Sequence, residues 1–595
     1  MLARSLVTVA VLALCVIAPL PAGPAGASQA LNVTKTADAA DGVCDADCSL
    51  REAVIAANAN PDTNTINVPS GTYVLTIPGD HEEEAAQDDL DLNEDVTIVG
   101  AGTDTPLGAS GVGATIIDGN DQTRIFDVVP EDIVVAMSNM TLRNGLSPTV
   151  GGAIDNHAEL TLTDVAITGN DAPIGGGISN RGDLTLERVT ISGNTAMGNG
   201  GGIRNEATGT LTVRDSTISE NSAAEAFAEG GGIANAGAAM LDGVLVEDNE
   251  SEDSGGGIQN AFGGQLTVLN SVIDSNESLT SASGAIQNNG EVTIFDSMVS
   301  NNTSANEGGA MRSNGSLTIE DSTFSGNTAG TRAGAVLAAY LQVKNSTFSG
   351  NAAMDGDGGG IQIDGALALQ NVTITGNSAS SGGGGLAFEG AVAAIANTII
   401  AGNVGDDCQI GDPLTSLGYN LDGDGTCGFA AGGDLPNTDP QLGPLADNGG
   451  PTLTHALLAG SPAIDAAGQA NCPEEDQRGV LRGIDCDIGA FEYVALAGDQ
   501  RTWGDDNCSG APDPVDSLLT LRFDGGLSAD TGECPPMGDV VEVANASPHP
   551  WGDVDCSGAV NPVDSLKLLR FDAGLSVAQP VGCPEMGADV LVVTG

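Results

Sequence analysis

Two stretches near the end of the chain carry the residue types that hold a hard cation. A calcium loop presents oxygen ligands at positions 1, 3, 5, 7, 9 and 12 around a tight glycine turn. The segment 505–516 supplies Asp505, Asn507, Ser509, the Ala511 carbonyl, Asp513 and Asp516, with Gly510 at the turn. The segment 553–564 supplies Asp553, Asp555, Ser557, the Ala559 carbonyl, Asn561 and Asp564, with Gly558. The copies align over TWGDDNCSGAPDPVDSLLTLRFDGGL and PWGDVDCSGAVNPVDSLKLLRFDAGL at an offset of 48 residues. A chance Asp-rich turn explains one such loop but not two in the same register, so the expected ligand is Ca2+. Each loop runs into an amphipathic helix, with Leu518, Leu519, Leu521 and Phe523 in one and Leu566, Leu568, Leu569 and Phe571 in the other.

What precedes these loops is a repeat. From about residue 140 to residue 403 a Gly-rich phrase alternates with a β phrase ending in Asn, clearest in GGGISNRGDLTLERVTISGN, 175–194. The terminal asparagines are Asn170, Asn194, Asn221, Asn249, Asn276, Asn302, Asn327, Asn351, Asn377 and Asn403, spaced by 24 to 28 residues, a solenoid period. Three residues before each stands an apolar side chain, Ile167 through Ile400. The Gly-rich phrases supply a second apolar row from Ile154 to Leu386. Short strands with one apolar face cannot bury it alone, but coils stacked on one another can. The expected fold is mainly β, a right-handed parallel β-helix of about ten coils. A small α/β N-terminal cap and a C-terminal calcium-loop helical module complete it. Asparagine at the turns is expected in the αL conformation, with hydrogen bonds from coil to coil. A second column, Asn156 to Asn288, fades into Ser313, Ala338, Ile363 and Phe388, which predicts an outer surface that changes character.

The first residues, MLARSLVTVAVLALCVIAPLPAGPAGASQA, combine an Arg-bearing start, an apolar run and an A-x-A site at Ala25–Ala27, the pattern of a secretory signal peptide. No later stretch reaches the ~20 apolar residues that span a bilayer. The expected location is therefore extracellular. Ten cysteines follow Cys15 and form five sequence-close pairs: Cys44 with Cys48, Cys408 with Cys427, Cys472 with Cys486, Cys508 with Cys534, and Cys556 with Cys583. In an exported chain this spacing predicts local disulfides. With 18 Lys plus Arg against 80 Asp plus Glu, the net charge is −62. Such a surface repels nucleic acid and anionic membranes and attracts divalent cations. A saline habitat accounts for the acidity equally well.

Several segments resemble known families. The GG-x-I phrases resemble the repeats of polymorphic outer membrane proteins and related β-helix adhesins. Residues 31–77 resemble the bacterial CSLREA domain, whose string stands at Cys48, Ser49, Leu50, Arg51, Glu52 and Ala53. Here Ser49 is expected to N-cap a short helix carrying Ala53, Val54 and Ala57. Residues 406–493, with THALLAGSPAIDAAG and DQRGVLRGIDCDIGAFEY, are similar to a choice-of-anchor Q region of surface β-helix proteins. The duplicated loop and helix resemble a type I dockerin, which implies a calcium-folded module that docks on a cohesin-like domain through the residues before the last ligand. Those are Pro514 and Val515 in one copy, Pro562 and Val563 in the other. The expected division is 1–27 signal peptide, 28–95 cap, 96–405 β-helix, 406–495 anchor-like region and 496–595 tandem module.

Parallel β-helices also include polysaccharide lyases and hydrolases, so an enzyme is the rival expectation. Hydrolysis needs two carboxylates facing one cleft. The position after each Gly-phrase aliphatic, expected to face outward, reads Asp155, Ser179, Arg204, Ala234, Gln259, Gln287, Arg312, Leu337, Gln362 and Ala387, with one carboxylate. Asp155 with His157 is expected as a coil-end polar cluster. His455 and Asp465 have no nucleophile partner nearby in sequence. No catalytic residue is therefore expected, and the chain is taken as a secreted or cell-surface rod that binds a partner or a polysaccharide.

Overall fold

The fold is described from a computed structural model, over residues 28–41, 43–79, 84–103, 113–494, 499–506, 512, 514–524, 540–543, 549–573, 575, 577, 583–584 and 589–594. The chain divides into two compact units, residues 1–292 with 302–305, and residues 293–301 with 306–595. Among the described residues no helix is long and apolar enough to cross a membrane.

The first unit is a parallel β-solenoid. Its one described helix, α1 (Leu50–Asn58), is N-capped by Ser49, whose hydroxyl accepts from the Glu52 N–H while the Glu52 carboxylate accepts from the Ser49 N–H. This reciprocal cap satisfies two orphan amides. Arg51 is fully buried and bonds Asp38 and the carbonyls of Ala85, Asp88 and Asp89. Parallel pairing begins at Ala30–Asn32 and passes through Asn64–Asn67, Val96–Val99 and Val134–Arg143 to Glu159–Thr168. The stack thus contains coils on the N-terminal side of the ten counted from asparagines. Those coils lack the ladder asparagine, which is why the repeat register passes over them.

Both apolar rows are interior stacks. Ile154, Ile178, Ile203, Ile233, Ile258 and Ile286 are register partners, as are Ile167, Ile191, Ile218, Val246 and Ile273. All are buried. The terminal asparagines form a hydrogen-bonded column: Asn170 Nδ2 donates to Asn194 Oδ1 at 2.8 Å, and the pattern continues through Asn221, Asn249 and Asn276 to Asn302. They are not the αL residues, however. That conformation falls one residue earlier, on Gly169, Gly193 and Glu220, with φ of 65°, 63° and 55°. The turn is made there, which leaves the next side chain pointing inward to bond its neighbour.

The second column, Asn156, Asn180, Asn205, Asn235, Asn260 and Asn288, is also buried and is linked at 2.7 to 2.9 Å. It lines the interior, which corrects the expectation of an outer surface. The row beside it, expected to face outward, is covered too: Asp155, Ser179, Ala234, Gln259 and Gln287 are each no more than 5% exposed. The Gly-rich turns cause this by folding tightly against adjacent coils. A Cβ on Gly176 would lie 2.4 Å from the carbonyl oxygens of Gly201 and Thr195, so only glycine permits the approach.

The second unit contains further coils of the same kind. Met311, Val336, Ile361 and Leu386 stack in register, as do Phe324, Phe348, Ile374 and Ile400. The Phe324 and Phe348 rings are stacked at 5.1 Å. A further coil follows, in which Cys408–Ile410, Thr415–Gly418 and Leu421–Asp422 pair in parallel with Leu386–Phe388, Val392–Ala396 and Ile399–Ala401, so the solenoid passes the expected boundary at 405. Residues 437–494 then form a strap with little regular structure, including a hairpin of Leu442–Ala446 and Thr454–Leu457. Its Leu457, Ala463, Ile488 and Phe491 pack with Ile399 and Leu421. Polar contacts follow the same line: Thr347 Oγ1 donates to Gln477 Oε1 at 2.6 Å, and Asn371 and Asn397 donate to carbonyls of Asp487 and Gly468. Disulfides join Cys408–Cys427 and Cys472–Cys486 here and Cys44–Cys48 in the first unit.

The chain ends in helices α2 (Pro514–Asp524) and α3 (Pro562–Asp572), with an antiparallel sheet of Asp499–Thr502, Asp589–Thr594, Val540–Val543 and His549–Pro550. Cys556–Cys583 is bonded. Cys508 and Cys534 lie outside the described residues.

Candidate metal centre

The second loop brings its carboxylates together. Oxygens of Asp553, Asp555 and Asp564 lie within 4.8 Å of one another. Asp553 and Asp564 are fully buried. The chain wraps around them: Asp553 accepts from the N–H groups of Ser557 at 2.9 Å and Gly558 at 2.7 Å, and Gly558 takes a positive φ of 90°. Asp555 accepts from the Ser557 N–H at 3.1 Å. Asp564 accepts from the N–H groups of Asp555 at 3.0 Å and Asn561 at 2.8 Å. These bonds aim the carboxylates inward from both ends of the loop.

Two of the expected ligand positions also start the helix. Asn561 is the N-cap of α3, accepting from the Val563 N–H, and Asp564 closes the capping box. Ser557 Oγ and Asn561 Nδ2 both point to the Ala559 carbonyl, at 3.3 and 2.8 Å. All six positions of this loop therefore sit around one turn.

Electrostatics separate Asp564 from Asp555. Burial, reinforced by the neighbouring Asp555 and Asp553 charges, pushes Asp564 up to about 7 despite its hydrogen bonds. Burial also opposes the charge on Asp555, but the Ser557 hydrogen bond and the Lys567 ammonium, 3.8 Å away, outweigh it and hold this carboxyl below its ordinary range. A group of carboxylates forced together at a glycine turn matches the oxygen-only chemistry of Ca2+.

In the first loop Asp505 and Asp516 are buried. Asn507, Ser509, Ala511 and Asp513 lie outside the described residues. The two copies nevertheless contact each other as near-equivalents. Trp503 Nε1 donates to the Val554 carbonyl and Trp551 Nε1 to the Asp506 carbonyl, both at 3.3 Å. Ser517 and Ser565 meet at 2.7 Å between their hydroxyls. Residues 48 apart thus exchange places across a local two-fold.

The helices are less amphipathic than expected. Leu519 and Leu568 are buried, but Leu518, Leu521, Leu566 and Leu569 are between 44 and 57% exposed, as are Val515 and Val563, while Pro514 and Pro562 begin the two helices. The exposed residues form matched sets on the two helices.

Elsewhere, the structure places His455 where its sequence neighbours gave no hint. Its Nε2 lies 2.9 Å from Ser349 Oγ and its Nδ1 is 2.8 Å from the Gly443 carbonyl. This contact belongs to the line of strap bonds that includes Thr347 with Gln477, and Asp465 takes no part in it. In the first unit Asp155 and His157 join a network with Arg124 and Arg181. The register also adds Asp127 and Asp91 to the row that begins, in the repeat, at Asp155. The repeat signal misses both because their strands precede the first Gly-rich phrase.

Comparison with known proteins adds two likenesses. Residues 188–206 match the Chlamydia polymorphic membrane protein repeat. Among solved structures, the crystal structure of pectate lyase Pel9A matches with a TM-score of 0.26 and 14% identity, over 79% of this chain and 98% of that one. No curated protein sequence matches. The repeat match spans the strands Thr190–Ser192 and Ile203–Asn205 and the Gly-rich phrase between them.

Proposed function

We propose that this chain is a secreted or cell-surface β-solenoid, without catalytic activity, that binds a partner or a polysaccharide and is attached through a calcium-dependent C-terminal module. The observation that carries the attachment is the convergence of Asp553, Asp555 and Asp564 around Gly558. Ca2+ held by that loop, and by its twin at Asp505 to Asp516, would offset the repulsion of buried carboxylates and so couple metal binding to folding of the module. The matched exposed sets, Val515, Leu518 and Leu521 with Val563, Leu566 and Leu569, then offer two equivalent apolar faces to a cohesin-like or other scaffold domain. The short likeness to a membrane-protein repeat supports a surface location. A solenoid whose buried positions form regular columns supports a structural rather than catalytic body.

The test is calorimetric titration of the full chain with Ca2+. Two sites are expected, with Asp564→Asn removing one and Asp516→Asn the other. At a free Ca2+ concentration 100-fold above Kd, each site should stabilise the module by about 2.7 kcal/mol. Absence of heat and of any thermal shift would refute the metal reading. Turnover of pectins, alginates or glucans would refute the non-catalytic one.

A further inference from the structure

The short strands Leu90–Leu92, Phe126–Val128 and Ile154–Asn156 pair in parallel, which puts Asp91, Asp127 and Asp155 in register on successive coils. Residues in register on a parallel ladder project to one face, about 4.8 Å apart. This is a column of aspartates, and two side chains from the same strand ends join it. Atoms of Asp127, Asp155 and His157 lie within 4.8 Å of one another, and so do those of Asp89, Asp91 and Asp127. Asp127 belongs to both sets.

Two guanidiniums reach the column. Arg124 bonds Asp89 at 2.7 Å and also reaches Asp127 and Asp155. Arg181 Nη1 lies 3.0 Å from both oxygens of Asp155. Asp89 and Asp155 are no more than 5% exposed, and carboxylates so buried hold their charge only where cations offset it.

Two further atoms point the same way. Asp127 Oδ1 is buried without a hydrogen-bond partner. Ser179, the register partner of Asp155 on the next coil, is fully buried, and its hydroxyl has no partner either. Buried polar atoms are nearly always bonded. A serine hydroxyl without a partner beside an aspartate column has lone pairs to offer a cation.

His157 supplies the remaining donor. Its Nε2 is 2.8 Å from Arg181 Nη1, whereas Asp155 Oδ2 is 3.4 Å away. A guanidinium only donates, so the shorter contact sets Nε2 as an acceptor with its lone pair turned into the cluster. Arg181 is the more exposed of the two guanidiniums, its side chain 35% exposed against 8% for Arg124. It sits on the atoms a metal would take.

We propose that Asp127, Asp155 and His157 bind a divalent transition-metal ion of the Zn2+ class, with Ser179 beside it, and that the ion displaces Arg181. The imidazole nitrogen separates this site from the all-oxygen loops at the C-terminus, because nitrogen donors favour Zn2+ and its congeners over Ca2+.

The test is titration of the full chain, saturated with Ca2+, using Zn2+ in the calorimeter and Co2+ for a visible ligand-field band, at pH 8. One site and one band are expected. Asp127→Asn and His157→Gln should each weaken binding at least tenfold, with circular dichroism confirming the fold. Arg181→Met should tighten binding about tenfold, since it removes the competing cation. A purely structural ion network would respond oppositely, losing stability without gaining affinity. Absence of the band, binding that survives both Asp127→Asn and His157→Gln, or weaker binding in Arg181→Met would each overturn the proposal.

Discussion

The third position of the short strand that follows each Gly-rich turn is filled in opposite ways in the two units. In the first, Asn156 through Asn288 form an unbroken column of buried amides, each donating to the next. In the second, the position holds Ser313, Ala338, Ile363 and Phe388, all buried. An amide column is satisfied only when every coil is in register, so it specifies the stacking as well as stabilising it. An apolar column tolerates sliding. Where the amides run out at this position, the strap of residues 437–494 adds position-specific bonds to Thr323, Thr347, Asn371 and Asn397. Both units keep the column of terminal asparagines, Asn327 to Asn351, Asn377 and Asn403 in the second, so the contrast is confined to this one position, amides in the first unit and an apolar row with strap bonds in the second.

Exchanging the two solutions gives the largest expected effect. Ile363→Asn places an unpartnered amide between Ala338 and Phe388, its register neighbours, and removes buried apolar volume. The loss should be about 4 kcal/mol by chemical denaturation. A loss below about 1 kcal/mol would break the contrast. The reverse change, Asn205→Leu, deprives Asn235 Oδ1 of its donor and Asn180 Nδ2 of its acceptor, and should cost about 3 kcal/mol. If the column alone sets register, its proton-exchange protection should fall on both neighbouring coils and not on one.

The strap brings a pH dependence. Burial, with the nearby Glu492 charge adding to it, pushes Asp487 up to about 7 even though its oxygens accept from the Asp465 and Tyr493 N–H groups. Its folded pKa stands above the unfolded value near 4. The stabilisation is therefore complete below about pH 4 and is lost as pH rises through 7. Asp487→Asn should flatten the decline between pH 5 and 8 by about 2 kcal/mol, measured as the change in unfolding free energy. An unchanged slope would remove this residue from the account. The smallest effect is expected at Arg188→Ala, which deletes an ion pair to Asp164 whose side chains are 52 and 44% exposed. Solvent screening should keep that loss within the error of a denaturation measurement, and a clear shift in the unfolding midpoint would contradict it.

Much of the solenoid was legible because its signal is local and repeated. A buried isoleucine every coil and a glycine wherever backbones nearly touch leave the same trace ten times over, and the paired cysteines are close enough in sequence to be matched by eye. Exposure was harder. Asp155, Ser179 and Gln259 look like surface residues because they alternate with buried isoleucines, and it is the Gly-rich turns that cover them. Asp91 and Asp127 were invisible as partners of Asp155, since 36 and 28 residues separate successive members and no repeat phrase marks the first two. The Ser349 to His455 contact spans 106 residues and has no local signature at all.

The sequence by itself determined the stacking: its period, the two apolar rows, the amide columns and the carboxylates of the terminal loops, because each follows from residue type at a fixed spacing. Only the tertiary structure decided which polar positions are covered and which acids share a column. Those depend on where turns fold and which coils become neighbours, and a parallel ladder joins residues whose separation along the chain is set by loops of variable length.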